Sequence, residues 1–295
     1  MEQILTEGHT AVITGAANGM GLAAATKCAL EYKMKVVMCD VVENELNQAV
    51  NELNNKGGKC LAVVADVTRM EDYENMLVQA KVFSGAGGNV DFVFLNAGVM
   101  GTGISLMNKS TVEDFEWVFD VNVKGVLRGI KTFVPAILEQ GRPSLIAATA
   151  SSQGLDIGGP PGSTSSYAVS KHAVVSMMES LEGEIEFKNK SGHIKTAVLC
   201  PGGVSTSIWK VDRQEKTRRD GKGRGTVTSN RRKEQLKELF ESSVSAKDAM
   251  DQFFKDLHDG LFICSTEPGL ALEIFQRRSD YILEKKHPSD MRARI

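Results

Sequence analysis

Tyr167 and Lys171 lie four residues apart in Tyr167-Ala168-Val169-Ser170-Lys171, at the start of a stretch whose apolar residues Val174, Val175, Met177 and Met178 read as a helix. On a helix that spacing puts phenol and ammonium on one face. A free phenol ionises near pH ~10, too high to accept a proton at neutrality, so it needs positive charge close by. Lys171 supplies that charge, and the pair becomes a general acid and base for a hydroxyl proton. Taken alone, such a pair is common and reads as a solvated helix face. Upstream, Ser151-Ser152-Gln153-Gly154 follows an apolar run, where a hydroxyl would hydrogen-bond and polarise a substrate oxygen.

A second group of residues suggests what the acid and base would act with. Thr14-Gly15-Ala16-Ala17-Asn18-Gly19-Met20-Gly21 directly follows the first apolar strand and opens a helix. Gly15 reaches backbone angles closed to other residues, and Gly19 and Gly21 let the chain approach a pyrophosphate held at the positive end of that helix. Asp40 closes the second strand, where a dinucleotide fold places the acid that accepts hydrogen bonds from the adenosine ribose. A carboxylate there repels the extra phosphate of NADP, and neither Val41 nor Ala16 and Ala17 offers a compensating cation. NAD is the expected cofactor. A bland alternative stands beside each reading: a tight turn with no ligand, and an aspartate that only caps the helix beginning near Glu43.

The elements that must carry these residues recur along the chain. Short β-branched or apolar runs cover Thr10 to Thr14, Lys35 to Asp40, Lys59 to Val64, Asp91 to Leu95, Ser144 to Thr149, Ile194 to Leu199 and Leu261 to Cys264. Segments of helical period lie between most of them, among them Gly21 to Tyr32, Glu43 to Lys56 and Val112 to Leu138. Strand then helix, repeated, predicts an α/β protein: a doubly wound parallel sheet of Rossmann type in three αβα layers, one domain over residues 1–295. One compositional break, Arg213 to Lys233, mixes nine Lys or Arg residues with glycines. It reads as a flexible basic segment within a substrate-side lid over 203–257, with helices expected at Leu236 to Phe240 and Met250 to Leu257.

Several segments in order resemble the short-chain dehydrogenase/reductase family from Thr10 to about Thr206. The glycine turn has the family's Thr-Gly-x-x-x-Gly-x-Gly form, Asp66-Val67 resembles its adenine-contacting pair, and Asn96-Ala97-Gly98 resembles its Asn-Asn-Ala-Gly turn. Leu95 stands where the family has the first Asn, which puts a sheet-stabilising hydrogen bond in question. Asn122 in Asn122-Val123-Lys124-Gly125 matches the family's helix Asn, and Pro201-Gly202-Gly203-Val204-Ser205-Thr206 its nicotinamide-side loop. The resemblance implies cofactor contacts at Pro201, Gly202, Val204 and Thr206 as well as at Tyr167 and Lys171. It also implies a water held by Asn122 that links Lys171 to solvent, and it selects Ser151 over Ser152. Ser151 lies farther from Tyr167 than is usual, and Gly158-Gly159-Pro160-Pro161-Gly162 accounts for the surplus. The activity implied is hydride transfer between NAD(H) and an alcohol or carbonyl compound, with Tyr167 exchanging the proton.

The substrate end is expected to be lined by Val99, Met100, Gln153 to Ile157, Gly203, Ile208 and Trp209, which suits a neutral, fairly hydrophobic, even aromatic secondary alcohol or ketone. Trp209 reads either as a ligand cover or as an aromatic packed under a loop. The chain's 42% hydrophobic and 24% charged residues and net charge of -2 give no reason to expect nucleic acid. No run approaches the roughly 20 apolar residues of a membrane span. The five cysteines form no CxxC, and the histidines share no metal-ligand spacing, so a reducing cytoplasmic setting with no metal is expected. The family resemblance implies a homodimer or homotetramer, through the helices Val112 to Leu138 and Tyr167 to Phe187. A non-catalytic NAD(H)-binding sensor or scaffold of the same fold is the competing reading.

Overall fold

A computed structural model describes residues 1–101, 112–156, 165–188, 192–210, 234, 237–238 and 240–285. Its centre is a seven-stranded, wholly parallel sheet in the order β3-β2-β1-β4-β5-β6-β9. The strands are β1 (Thr10–Thr14), β2 (Lys35–Asp40), β3 (Lys59–Val64), β4 (Phe92–Leu95), β5 (Ser144–Thr149), β6 (Ile194–Leu199) and β9 (Ile263–Cys264). A separate two-stranded ladder pairs β7 (Val204–Ser205) with β8 (Val244–Ser245). β1, β4 and β5 are buried along their whole length, which explains runs such as Phe92-Val93-Phe94-Leu95 that are apolar on both faces.

The helices divide between the two faces. α1 (Gly19–Thr26), α2 (Glu43–Asn55) and α7 (Ala246–His258) cover one, where Leu46, Phe94, Phe253 and Phe254 share a core. Phe94 and Phe253 stack with centroids 5.1 Å apart. On the other face α3 (Met70–Ser84), α5 (Gly125–Gln140) and α6 (Ser165–Lys188) enclose Tyr73, Met76, Phe133, Val174 and Met178. α8 (Pro268–Leu283) follows β9.

Three boundaries differ from the sequence reading. The fourth strand is Phe92–Leu95; Asp91 before it still bonds the Thr10 carbonyl and the Leu145 N–H through its backbone, while its carboxylate accepts from the Thr10 N–H at 2.8 Å and pairs with Arg142 at 2.9 Å. The last strand is trimmed to Ile263–Cys264. The single helix expected over Val112 to Leu138 is interrupted: α4 (Val112–Phe119) and α5 are joined by a π-helical turn, Asp120–Lys124, which carries Asn122. Residues 246–257, assigned to the lid, form most of the core helix α7. The basic segment 213–233, the Gly158–Gly162 loop, Ile157 and Leu236 lie outside the described residues.

Candidate active site

The site is built at the carboxyl ends of β1, β2, β4 and β5. Gly15 leaves β1 with φ +66°, and a Cβ there would lie 2.9 Å from the Ala97 Cα, so both the angle and the space require glycine. At Gly21 an added Cβ would collide with the Gly15 carbonyl oxygen, which makes Gly21 a packing residue of the turn. Asn18 precedes α1 without capping it. Its Oδ1 accepts from Ser207 Oγ at 3.2 Å and its Nδ2 donates to Glu45 Oε2 at 3.2 Å. The first N–H groups of α1 therefore lack a side-chain cap, and this positive helix end is a place for an anion.

A cleft runs across these strand ends, lined by Gly15, Asn18, Gly19, Met20, Cys39, Asp40, Val41, Ala65 to Thr68, Asn96 to Val99, Val121 and Thr206 to Ile208. Asp40 is 8% exposed; its Oδ2 accepts from the Ala17 N–H at 3.1 Å and its Oδ1 from the Val42 N–H at 3.1 Å. The carboxylate thus joins the glycine turn to the loop before α2 and also presents negative charge to the cleft. Asp66 Oδ1 accepts from the Thr68 N–H at 2.9 Å and from Thr68 Oγ1 at 2.7 Å, which shapes the loop after β3.

Asn96 knits three strands together. Its Nδ2 donates to the Thr14 carbonyl at 3.1 Å, its Oδ1 accepts from Thr149 Oγ1 at 3.0 Å, and Thr14 Oγ1 accepts from the Asn96 and Ala97 N–H groups at 3.0 and 3.1 Å. These bonds tie the ends of β1, β4 and β5 although Leu95 replaces the family's first Asn. Thr14 serves the cleft by holding this turn and does not line it.

Gly98 is the junction between the cleft and the acid-base group: a Cβ there would lie 3.3 Å from Asn122 Oδ1 and 3.4 Å from Lys171 Nζ. Asn122 is fully buried, accepting from the Val99 N–H at 2.8 Å and donating to the Val99 carbonyl at 2.9 Å and to Ser170 Oγ at 3.0 Å. Lys171 Nζ, also buried, donates to the Thr149 carbonyl at 2.7 Å and sits 5.5 Å from the centroid of the Tyr167 ring. The Tyr167 phenol meets the hydroxyl of Ser151, not that of Ser152. Burial pushes the phenol up to about 12 against the pull of Ser151, and burial lowers Lys171 to about 8. Burial thus works against the charged form of both groups, and the hydroxyl of Ser151 favours the ionised phenol.

Other residues assigned to the cofactor lie outside the cleft lining. The Pro201 carbonyl accepts from the Ser152 N–H at 2.8 Å, the Gly202 N–H donates to Thr266 Oγ1 at 3.1 Å, and Val204 is buried in β7. They fix the loop from which Thr206 reaches the cleft. Trp209 does not cover the cleft. It lines a neighbouring cavity of about 660 Å³ with Leu22, Phe240 and Met250. Sequence reasoning missed Arg277 and Arg278 on α8. Arg277 Nη2 pairs with Asp156 Oδ1 at 2.7 Å, and Arg278 Nη1 donates to the Asp156 carbonyl at 2.7 Å and to His172 Nε2 at 3.1 Å. They clamp the segment after Ser151 to the residue after Lys171, a link about a hundred residues long that no local pattern announces. Cys39, Ala65, Thr68, Val121 and Ser207 were also missed, although adjacency to the assigned strand ends could have found them.

Among the described residues no cluster of His, Cys, Asp and Glu could hold a metal ion, and no helix is long and apolar enough to cross a membrane. Residues 9–217 match the short chain dehydrogenase family. The 1-deoxy-11-beta-hydroxypentalenate dehydrogenase of Streptomyces avermitilis is 36% identical over 200 residues, 68% of this chain and 70% of the relative. The C alpha-dehydrogenase of a Sphingobium species is 30% identical over 209 residues, 70% of this chain and 64% of that protein. Among solved structures, a short chain dehydrogenase/reductase from Burkholderia phymatum in complex with NAD matches with a TM-score of 0.85 at 33% identity, covering 98% of both chains. The chain belongs to the short chain dehydrogenase family and is an oxidoreductase of the kind that binds a nicotinamide cofactor.

Proposed function

We propose that this protein is an NAD(H)-dependent dehydrogenase or reductase of a neutral, fairly hydrophobic secondary alcohol or ketone. The observation that carries the reading is a connected group, Ser151 on Tyr167, Tyr167 beside Lys171, and Lys171 with Asn122 against Gly98, which lines a cleft that also holds Asp40. The residues present fit the cofactor. The uncapped start of α1 suits a pyrophosphate, Asp40 suits a ribose diol, and its cleft neighbours Cys39, Val41 and Ala65 carry no cation for a further phosphate. When bound, the nicotinamide supplies or accepts the hydride.

Everything else falls to the chain's own side chains. Ser151 hydrogen-bonds the substrate oxygen and holds the Tyr167 hydroxyl beside it. Tyr167 gives its proton to that oxygen in reduction and takes one from the substrate hydroxyl in oxidation. Lys171 favours the ionised phenol electrostatically, and Asn122 holds the α6 segment through Ser170, one residue before Lys171. Val99 and Ile208 give the cleft apolar wall, which supports a neutral, hydrophobic substrate; the name of the Streptomyces relative supports the hydroxyl group alone, since it denotes a hydroxylated carboxylate.

The test is Tyr167→Phe. The variant should retain NADH binding, read by fluorescence, and lose at least ~100-fold in turnover across a panel of secondary alcohols. Unchanged turnover with intact binding would overturn the assignment. Binding without turnover of any alcohol or ketone by the unaltered protein would favour a sensor or scaffold.

A further inference from the structure

Arg128 is a cation on α5 that the proposed chemistry does not use. Its Nη1 donates to the Val67 carbonyl and to the Asp120 carbonyl, each at 3.2 Å, and its Nη2 meets Asp120 Oδ1 at 2.8 Å. The side chain is 21% exposed. A guanidinium is suited to this task, because its rigid plane holds Nη1 on the two carbonyls and Nη2 on the carboxylate, two separate positions that the single nitrogen of an ammonium cannot occupy together.

What those oxygens belong to gives the arrangement its meaning. Val67 lines the cleft in the loop after β3, whereas Asp120 opens the π-helical turn that contains Val121 and Asn122. Val121 lines the same cleft, and Asn122 grips Val99 and Ser170. The start of α5 presses on the loop as well: a Cβ on Gly125 would lie 3.3 Å from the Val67 side chain. A second cation, Lys124, reaches Asp120 Oδ1 only at 3.7 Å and is 62% exposed, so Arg128 is the stronger tie.

We propose that Arg128 is a positioning residue that couples the Asp66–Thr68 end of the cleft to Asn122. Occupation of that end thereby sets the place of Ser170 and Lys171. The inference rests on the reading of the cleft as a dinucleotide site. It assigns Arg128 no contact with substrate or cofactor. Packed side chains and hydrogen-bond networks that two sites both engage can carry such coupling, and Val67, Arg128, Asp120, Asn122 and Ser170 form one such set.

The experiment uses the full chain with ADP-ribose, which fills the adenosine half of a dinucleotide site and lacks the nicotinamide. Hydrogen exchange is followed by mass spectrometry in the unaltered protein and in Arg128→Met. In the unaltered protein ADP-ribose should slow exchange in peptides spanning residues 64–70 and 118–126. In Arg128→Met the first effect should persist and the second should vanish. With saturating NAD, kcat should fall on the order of tenfold while the Kd of ADP-ribose moves far less. A residue that merely stabilised the fold would lower the melting temperature and leave the response of 118–126 intact, which would overturn the proposal. Should Arg128→Met not fold, Arg128→Lys makes the same comparison, since one nitrogen cannot stand at the positions of both Nη1 and Nη2. A partial loss of the 118–126 response is then expected, and a full response counts against the coupling. If ADP-ribose slows exchange at neither segment in the unaltered protein, the cofactor reading of the cleft falls first, and the coupling falls with it.

Discussion

The Leu95 side chain fills the space that a side chain on residue 129 would need. Gly129 lies on α5, and a Cβ built there would overlap Leu95 Cδ2 and lie 2.9 Å from Cδ1. Leu95 is 2% exposed and ends β4, the strand that leads into Asn96. A residue that departs from the family pattern is thus matched by a glycine on the helix packed against it.

This match gives opposite predictions from local and tertiary physics. In an exposed helix, glycine to alanine stabilises by about 1 kcal/mol. At Gly129 overpacking against Leu95 should outweigh that gain, so Gly129→Ala should destabilise by about 1–3 kcal/mol. Urea unfolding of Gly129→Ala, of Leu95→Ala and of the double variant closes a cycle that measures the coupling between the two sites. A more stable Gly129→Ala protein would show that α5 retreats without strain.

Asn122 makes a prediction that separates its three bonds. Asn122→Leu keeps the volume but strands the buried Val99 N–H and carbonyl, at roughly 2–6 kcal/mol for two such groups. Asn122→Asp can still accept from Val99 but can no longer donate to the Val99 carbonyl or to Ser170. Denaturant midpoints should rank the unaltered protein above Asn122→Asp and Asn122→Asp above Asn122→Leu, with both variants impaired in turnover. Equal stability of all three would refute the bonding described.

Much of this was legible in the sequence because it is local. The glycine turn, the strand that ends at Asp40 and the Tyr167–Lys171 spacing each lie within one or two elements, where backbone angles and helix period decide the outcome. The π-helical turn at Asp120–Lys124 was not legible: Val112 to Leu138 keeps a helical apolar period, and the interruption is fixed by Arg128 and Val99 from outside it. Which of the two readings of Trp209 holds was not legible for a related reason. Its neighbours Leu22, Phe240 and Met250 come from three distant segments, so no pattern around residue 209 points to them.

Asp40 should govern the choice of cofactor. Asp40→Asn keeps an oxygen for the Ala17 N–H, gives up the bond from the Val42 N–H and removes the charge, so it tests repulsion while leaving the glycine turn its partner. NAD affinity should fall by roughly 10- to 100-fold, the worth of a charged hydrogen bond, and NADP affinity should rise relative to it. Calorimetric titration with both nucleotides checks this. An unchanged ratio of the two dissociation constants would remove Asp40 as the determinant.

Lys171 and Tyr167 should leave opposite marks on the pH dependence of stability. Burial lowers Lys171 from 10.5 to about 8, so below pH 8 the ammonium is charged in both folded and unfolded chains and its burial penalty is present in full. Between about 8 and 10.5 the folded chain releases the proton first, the unfolded state binds more protons, and stability rises with pH. Tyr167 runs the other way, since burial raises it from 10.0 to about 12. The neutral phenol's contribution is complete below 10 and is lost as pH climbs through 12, because the unfolded chain ionises first. Lys171→Met isolates the first effect, because methionine fills the volume and does not titrate. The unfolding free energy of the unaltered cofactor-free protein, less that of Lys171→Met, should increase from about pH 8 toward pH 10. A difference that stays flat across that interval would mean that the lysine keeps its ordinary affinity for the proton and that the Thr149 carbonyl compensates its burial in full.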